Sequence, residues 1–453
     1  MRRLRSITPI SIEGYNLFHE GTLALMDIER RGWPVDVPYL EKTTEWAGRE
    51  IKKKLKKINQ HKEIDVWKSL YGNEFNIDSD DQLRVVLFDK MGHTPSILTK
   101  KEKPSTSAEA LELLKVPFVK DLIGYRKLRK VKVTYLDGIL REQVGGIIHA
   151  SFGLSQIKTF RSRCGNPNLQ NIPAHDAAMA ELVRKAFRAD PDCMIVEVDY
   201  SGAEVRVGCG YHLDPTMIDY VLDDSTDMHR DMAAECYYLE ESDITKPLRN
   251  SVKGDFVFAA FYGSFYKLMA PKLWKSTGDL QTVDGQALRT HLREHGIKGV
   301  KSFTKHIGNV EKDFWEERFP VYADWKDHWY QDYLIKGYAD MLTGFRYSGV
   351  AKRNEVINAP IQGSAFHCLL WALNRTHEEL PTINPRNRIL GQVHDSLILN
   401  VHPKDKDDVL ALVKEISTER VRKHWDWINV PMEIEAEASP VDGTWFDKTE
   451  IAI

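Results

Sequence analysis

A short apolar run that stops on a carboxylate constrains this chain more than any other stretch: Met194-Ile-Val-Glu-Val-Asp-Tyr-Ser-Gly-Ala-Glu-Val-Arg206. Met194, Ile195, Val196 and Val198 have the length and β-branching of a buried strand, and Asp199 stands where that strand must reach the protein surface. Ser201 and Glu204 have the S-x-x-E spacing of a capping box, so a helix is expected directly afterwards with its N-terminus facing Asp199. Taken alone, Asp199 reads first as a solvated acid at a strand end. A metal-holding role needs a second carboxylate from elsewhere.

That second acid is Asp395, in Arg388-Ile-Leu-Gly-Gln-Val-His-Asp-Ser-Leu-Ile-Leu-Asn-Val401. Two apolar stretches flank His394 and Asp395, the pattern of a β-hairpin with both polar residues at its tip. Acids about two hundred residues apart meet only through the fold. Two such oxygen ligands suit Mg²⁺, and two Mg²⁺ ions roughly 4 Å apart are the usual device for in-line attack on a phosphate. Nucleotidyl transfer is the first expectation. A metal nuclease and a non-catalytic DNA-binding subunit are the alternatives.

With 453 residues the length favours about three subdomains, and a net charge of −3 means that any nucleic-acid-binding surface must be local. Two helical stretches supply candidates: Lys52, Lys53, Lys54, Lys56 and Lys57, then Lys120, Arg126, Lys127, Arg129, Lys130 and Lys132 against the single acid Asp121. Cations on helices neutralise backbone phosphates without reading sequence; the plainer reading is a solvated face. Helices are also expected over Leu17–Arg31, ended by Gly32, and over Glu41–Asn59. Asn76–Phe88 and Pro104–Leu111 look like capped helix starts. Pro9 and Gly14 mark residues 1–14 as a tail. Five cysteines without C-x-x-C spacing favour reduced thiols, and no apolar run reaches the length of a membrane span. A soluble protein of a cytoplasmic compartment, with no membrane partner, is expected.

Three segments together carry a resemblance: Asp199-Tyr-Ser-Gly-Ala-Glu-Val-Arg206, Gln392-Val-His-Asp395 and Asn166-Pro-Asn-Leu-Gln-Asn-Ile-Pro173. In this order they are similar to signature segments of the family A (Pol I-like) DNA polymerases, over about Tyr15 to Trp445. The resemblance implies an α+β right-hand fold with an antiparallel-sheet palm and mostly helical thumb and fingers. It divides the chain into a tail (1–14), thumb and palm base (15–148), first palm part (149–222), fingers (223–350) and second palm part (351–453). It implies a monomer acting on primer-template DNA and dNTPs. No room is left ahead of the thumb for a 3′-5′ exonuclease domain, as in a phage-type member working in a host cytoplasm, so proofreading or processivity would fall to a separate protein.

The same resemblance assigns roles. Asp199, Asp395 and Tyr200 would hold two Mg²⁺ ions, with Lys253 protonating the leaving pyrophosphate. Arg249, Lys253 and His229 would bind the triphosphate, Phe258 would stack on the incoming base beside Tyr262, and Glu204 would be the steric gate against a ribose 2′-OH. A small residue at that gate marks the related single-subunit RNA polymerases, the nearest alternative. Arg161, Asn168, Asn171, Asn358, Gln362, Gln392 and His394 would meet the nascent pair or the duplex, and Lys130 and Arg126 its backbone.

Three departures stand out. The family glycine before Arg161 is Phe160, and the glutamate often found after the second Asp is Ser396, which makes two metal-ligating carboxylates the expectation. From Lys253 to Tyr262 there is one residue too many for regular four-residue steps, so a π-bulge or break is expected between 253 and 258, with Phe258 rather than Val257 facing the base. Residues 272–312 look like a fingers insertion without an assigned role.

Overall fold

The computed structural model describes residues 7–95, 97–99, 101–174, 176–223 and 225–453. At its centre lies a five-stranded antiparallel sheet in the order Thr449–Ile451, Ile434–Ala438, Met194–Tyr200, Ser396–Val401, Arg388–Val393. Met194–Tyr200 is the middle strand, which is why its side chains are apolar on both faces over most of its length. Val196, Val198 and Tyr200 join the large core that contains the long helix Arg353–Ile383. Ile195 points to the opposite face, into a second core with Trp33, Phe187, Ile398 and Trp445.

Helix Ile12–Arg31 runs against the long helix, with Gly21 close enough that a Cβ there would lie 2.8 Å from Leu370 Cδ1. Helix Val37–Ile58 starts on Asp36, whose carboxylate accepts from the Tyr39 amide at 2.9 Å. It packs on Pro117–Lys130 around a third, separate core that includes Trp67, Leu83, Leu87 and Phe118. Ser79 and Ser107 cap the two short helices between them, as their sequences predict. Residues 272–312 form helices that bury Leu273, Leu288, Leu292 and Phe303 in the main core. No described helix is long and apolar enough to cross a membrane.

The tail expected over 1–14 is corrected where it is described. Ile7–Pro9 is an edge strand paired with Phe345–Ser348, and Ile10 N donates to Gly344 O at 2.9 Å. Pro9 is tolerated because an edge strand has a side that needs no donor. Gly14 is no breaker either. It sits inside a helix capped by Ser11, and a Cβ there would lie 2.6 Å from Gly344 O, so its bare backbone allows this close approach. The hairpin strands Tyr338–Asp340 and Phe345–Ser348 fall within the 223–350 segment, yet Phe345 packs on Phe18 and His367 at the base of the molecule. Residues 1–6 lie outside the described residues.

Candidate active site

The apolar run delivers Asp199 one residue before its strand ends, and the two-residue tip of the neighbouring hairpin delivers Asp395. Ser396 pairs with Asp199 across the ladder, and the Tyr200 amide donates to Asp395 O at 3.3 Å, so the acids stand side by side. His394 adopts a left-handed φ of 52° at the tip and exposes its ring. Crowding by surrounding protein first, then the charges of Asp395, Glu197 and Glu435, push the Asp199 carboxyl up to about 7, although the residue is exposed at the end of its strand. Crowded oxygen donors of one sign fit a hard divalent cation, which relieves their repulsion. Among the described residues no group of three or more His, Cys, Asp or Glu is placed to hold a metal. The Tyr200 phenol is not available as a ligand: its ring is buried and its hydroxyl donates to Ser417 O at 2.9 Å. Any ligand role at 200 belongs to the main chain.

The capping box over Ser201 and Glu204 does not form. Gly202, at φ 63°, precedes the helix Ala203–His212 without a side-chain cap. Ser201 Oγ donates instead to Glu435 at 3.0 Å, and Glu204 reaches across the cleft to accept from Tyr262 Oη at 2.5 Å and from the Arg161 guanidinium. Each side chain finds a stronger partner in the tertiary structure than the local cap offers. Arg161 also lies 3.7 Å from Asp395 Oδ1. Burial raises the Glu204 carboxyl against the opposing pull of Tyr262 and Arg161.

Arg161, Glu204, Phe258, Tyr262, Asn358, Gln362, His394 and Asp395 line one cavity of about 400 Å³. Its inner wall adds Gly208, His212, Met217, Phe261, Tyr322 and Ile361, none of which carries a sequence signal beyond that of ordinary core. Burial drives His212 down to about 3, so it stacks on Tyr322 as a neutral ring at 4.1 Å.

Helix Lys246–Val252 passes into a π-helical turn over Lys253–Phe258 and returns to α-helix at Ala259–Phe261. The surplus residue is absorbed where the spacing predicts. Val257 is fully buried, while Phe258 lines the cavity. The His229 ring meets Phe258 edge-on at 5.4 Å, and Lys253 Nζ lies 5.5 Å from the Phe258 centroid. Burial, helped by Arg249 and Lys253, lowers His229 to about 4 and leaves it neutral. Arg249 Nε donates to Asp227 Oδ2 at 2.5 Å, and Asp227 also caps the helix bearing His229. Asp227 is thus a tether for the expected phosphate ligand that its position in Asp-Met-His did not reveal.

Two of the expected nucleic-acid contacts are corrected. Gln392 is buried: its Oε1 accepts from Ser162 Oγ at 2.6 Å and Gln170 Nε2 at 3.1 Å, and its Nε2 donates to His394 O. It braces the hairpin tip from within. Arg126 is half-buried, pairing with Asp80 at 2.8 Å and donating to Ile77 O, so it holds two helices of the arm together. Asn168 spends its carbonyl oxygen on the Gln170 amide at 3.0 Å, the local cap that is its plainer reading. Asn171 is exposed, and Asn358 Nδ2 donates to Tyr262 O at 3.3 Å. In the basic stretch, Lys127, Arg129 and Lys132 pair with Asp176, Asp78 and Asp137. Lys130 is exposed and forms no ion pair among the described residues.

Residues 42–444 match the sequence model of DNA polymerase family A. The thermostable DNA polymerase I of Thermus filiformis is 29% identical over 427 residues, which cover 91% of this chain and 46% of that protein. DNA polymerase I of Bacillus subtilis is 29% identical over 433 residues, 94% of this chain and 44% of that protein. The chain therefore spans about half the length of these relatives. Among solved structures, the POL domain of Pol1 from M. smegmatis, in complex with DNA primer-template and dNTP, superposes with a TM-score of 0.74 at 23% identity over 95% of this chain and 70% of that one. A central antiparallel sheet with two acids at the end of its inner strands, inside a fold shared with that domain, and a sequence match over most of its length mean that this chain belongs to DNA polymerase family A.

Proposed function

We propose that this chain is a template-directed DNA polymerase, adding dNTPs to a primer 3′-hydroxyl on primer-template DNA. The observation that carries the reading is the pairing of the strand end bearing Asp199 with the hairpin tip bearing Asp395, which itself lines a cavity with Glu204, Phe258 and Tyr262. Asp199 and Asp395, with the Tyr200 main chain, would hold two Mg²⁺ ions. When bound, such ions lower the pKa of an attacking hydroxyl and take up charge on the departing pyrophosphate.

The rest of the work falls to the protein's own side chains. Phe258 offers a flat ring to the incoming base. Tyr262 and Glu204, joined by their hydrogen bond, fill the volume a 2′-hydroxyl would need. Lys253 and Arg249 neutralise the triphosphate, and Lys253 protonates the leaving group. Neutral His229 donates a hydrogen bond to a phosphate oxygen without adding charge. Arg161, Asn358, Gln362 and His394 surround the position of the new pair and test its minor-groove acceptors, which every Watson-Crick pair presents. Asn171 and Lys130 contact the duplex further back.

Primer extension with dNTPs and rNTPs tests this directly. Extension should require a divalent cation, prefer dNTPs, and fall by about 10²–10³-fold or more in Asp395→Asn, the order lost when one group stabilising transition-state charge is removed. Duplex binding should persist. Undiminished extension by Asp395→Asn, or cleavage of labelled DNA without dNTPs in place of extension, would overturn the reading.

A further inference from the structure

Beneath the two acids lies a carboxylate that the proposed mechanism does not use. Glu197 is two residues before Asp199 on the same face of the strand, between fully buried Ile195 and solvent-edged Asp199. Its Oε2 accepts from Trp445 Nε1 at 2.8 Å and from Lys448 Nζ, and its Oε1 accepts from Ser396 Oγ at 3.0 Å. Lys448, only 5% exposed at its side chain, also reaches Glu437 Oε2 at 2.7 Å. Ser396 is the residue directly after Asp395, and it is buried. Its Oγ also lies 2.9 Å from Val393 O, the residue on the other side of the hairpin tip. The Ser396 hydroxyl thus stands between Glu197 and the far end of the two-residue loop, and the Glu197 carboxylate competes with Val393 O for its single proton.

A buried ion pair is a poor way to gain stability, because desolvating two charges offsets most of their attraction and an apolar pair of similar size often does as well. What the pair supplies that apolar groups cannot is direction. Trp445 and Lys448 both donate to Oε2 of Glu197 and so fix the plane of its carboxylate, Oε1 is left to receive the Ser396 hydroxyl, and the Tyr200 amide fixes the Asp395 carbonyl. Few rotatable bonds then remain between the backbone carrying Asp199 and the backbone carrying Asp395.

We propose that Glu197, clamped by Lys448 and Trp445, is a positioning residue that holds the Asp395 hairpin tip through the Ser396 hydroxyl and so sets how the two carboxylates present themselves to divalent cations. This rests on the reading of Asp199 and Asp395 as the cation-holding pair. Ser396 thereby has a use that the glutamate often found at this position in the family could not serve, because a carboxylate there, directly opposite Asp199 in the ladder, has no proton to donate to Glu197.

The test uses the full chain and two routes to the same loss. Ser396→Ala removes the hydroxyl and leaves Glu197 with its lysine and indole. The double variant Glu197→Leu/Lys448→Met replaces the ion pair with apolar groups of similar size. Mn²⁺ binding is measured by calorimetry on the protein without nucleotide, and extension is titrated separately with Mg²⁺ and with dNTP. Both variants should weaken Mn²⁺ binding about tenfold or more and raise the half-maximal Mg²⁺ concentration in parallel, with little change in the KM for dNTP or in duplex affinity. Ser396→Thr, which keeps the hydroxyl, should restore Mn²⁺ binding. Wild-type Mn²⁺ affinity in Ser396→Ala overturns the proposal, and Ser396→Ala alone decides it should the double variant fail to fold. If instead Asp395→Asn also binds Mn²⁺ as wild type does, it is the assignment of the cation-holding pair that fails, not the role of Glu197.

Discussion

Tyr262 donates its hydroxyl to Glu204 Oε2 at 2.5 Å across the cavity mouth, joining the helix after the central strand to the end of the π-interrupted helix. The bond fixes the Glu204 side chain in the wall of the cavity that Phe258 and Asp395 also line, the proposed place of the nucleotide sugar. Glu204→Ala empties that space. Discrimination against rNTPs should fall by about tenfold or more, the order that one unfilled side-chain volume is worth in substrate selection. Single-nucleotide incorporation of dNTP and rNTP with both enzymes measures it; an unchanged ratio would remove Glu204 from the gate.

Phe258 occupies the cavity and Val257 the core because the π-helical turn rotates the helix between Lys253 and Phe258. Phe258→Tyr adds a hydroxyl at the cavity wall, a polar group able to occupy the place left by a missing sugar 3′-hydroxyl. The variant should incorporate dideoxynucleotides more readily than the parent, while Val257→Ala should alter stability and leave sugar preference alone. Competition between dideoxy- and deoxynucleotides in primer extension reports both.

The Asp199 carboxyl is pushed up to about 7 by surrounding protein and by neighbouring acids, from an ordinary value near 4. Between those values the folded chain holds a proton that the unfolded chain has released, so this group makes the metal-free fold less stable as pH rises from about 4 to 7. A divalent cation must displace the same proton, so its affinity should rise over the upper part of that window and level off above it. Calorimetric melting with and without Mn²⁺ at pH 6 and pH 8 should show the larger cation-induced gain at pH 8. In Asp199→Asn the difference between the two pH values should vanish.

Phe160 has a left-handed φ of 64° immediately before Arg161, yet its ring is fully buried against Phe345, Tyr347 and His367. Left-handed backbone costs a bulky residue about 1–2 kcal/mol, whereas removing a buried phenylalanine ring costs about 3–5 kcal/mol. The ring wins, so Phe160→Gly should lower stability by about 2–3 kcal/mol even though it relieves the backbone. Gly363→Ala should also destabilise, since its Cβ would lie 3.0 Å from Phe160 Cβ and 2.6 Å from Met341 Cε. Thermal denaturation checks both variants, and equal or higher melting temperatures would show that the strain outweighs the burial.

Much of the centre of the molecule was legible in the chain itself. The strand carrying Asp199 and the hairpin carrying Asp395 follow from short apolar runs bounded by polar residues, because strands buried on both faces leave no polar positions until they reach the surface. Counted against the family's four-residue spacing of Lys, aromatic and Tyr, the surplus residue between Lys253 and Tyr262 announced the π-helical turn. Local rules failed where a distant partner bound more strongly. Ser201 and Glu204 carry the spacing of a cap, but Glu435, Tyr262 and Arg161 claim them. Gln392 has the look of a groove-reading amide, but Ser162 and Gln170 hold it inside. Arg126 lies in a basic run whose acids come from Asp78 and Asp80, some fifty residues earlier.

The sequence by itself therefore determined which residue types reach the surface at strand ends and hairpin tips, and how the helix regains its register, since each of these is settled within a few residues along the backbone. Only the tertiary structure decided that Ile7–Pro9 joins a sheet, that Asp227 tethers Arg249, and that Glu197 meets Ser396 beneath the acids. Those pairings are chosen by which buried donors and acceptors the folded chain brings within hydrogen-bonding distance, and burial makes leaving any of them unmatched costly.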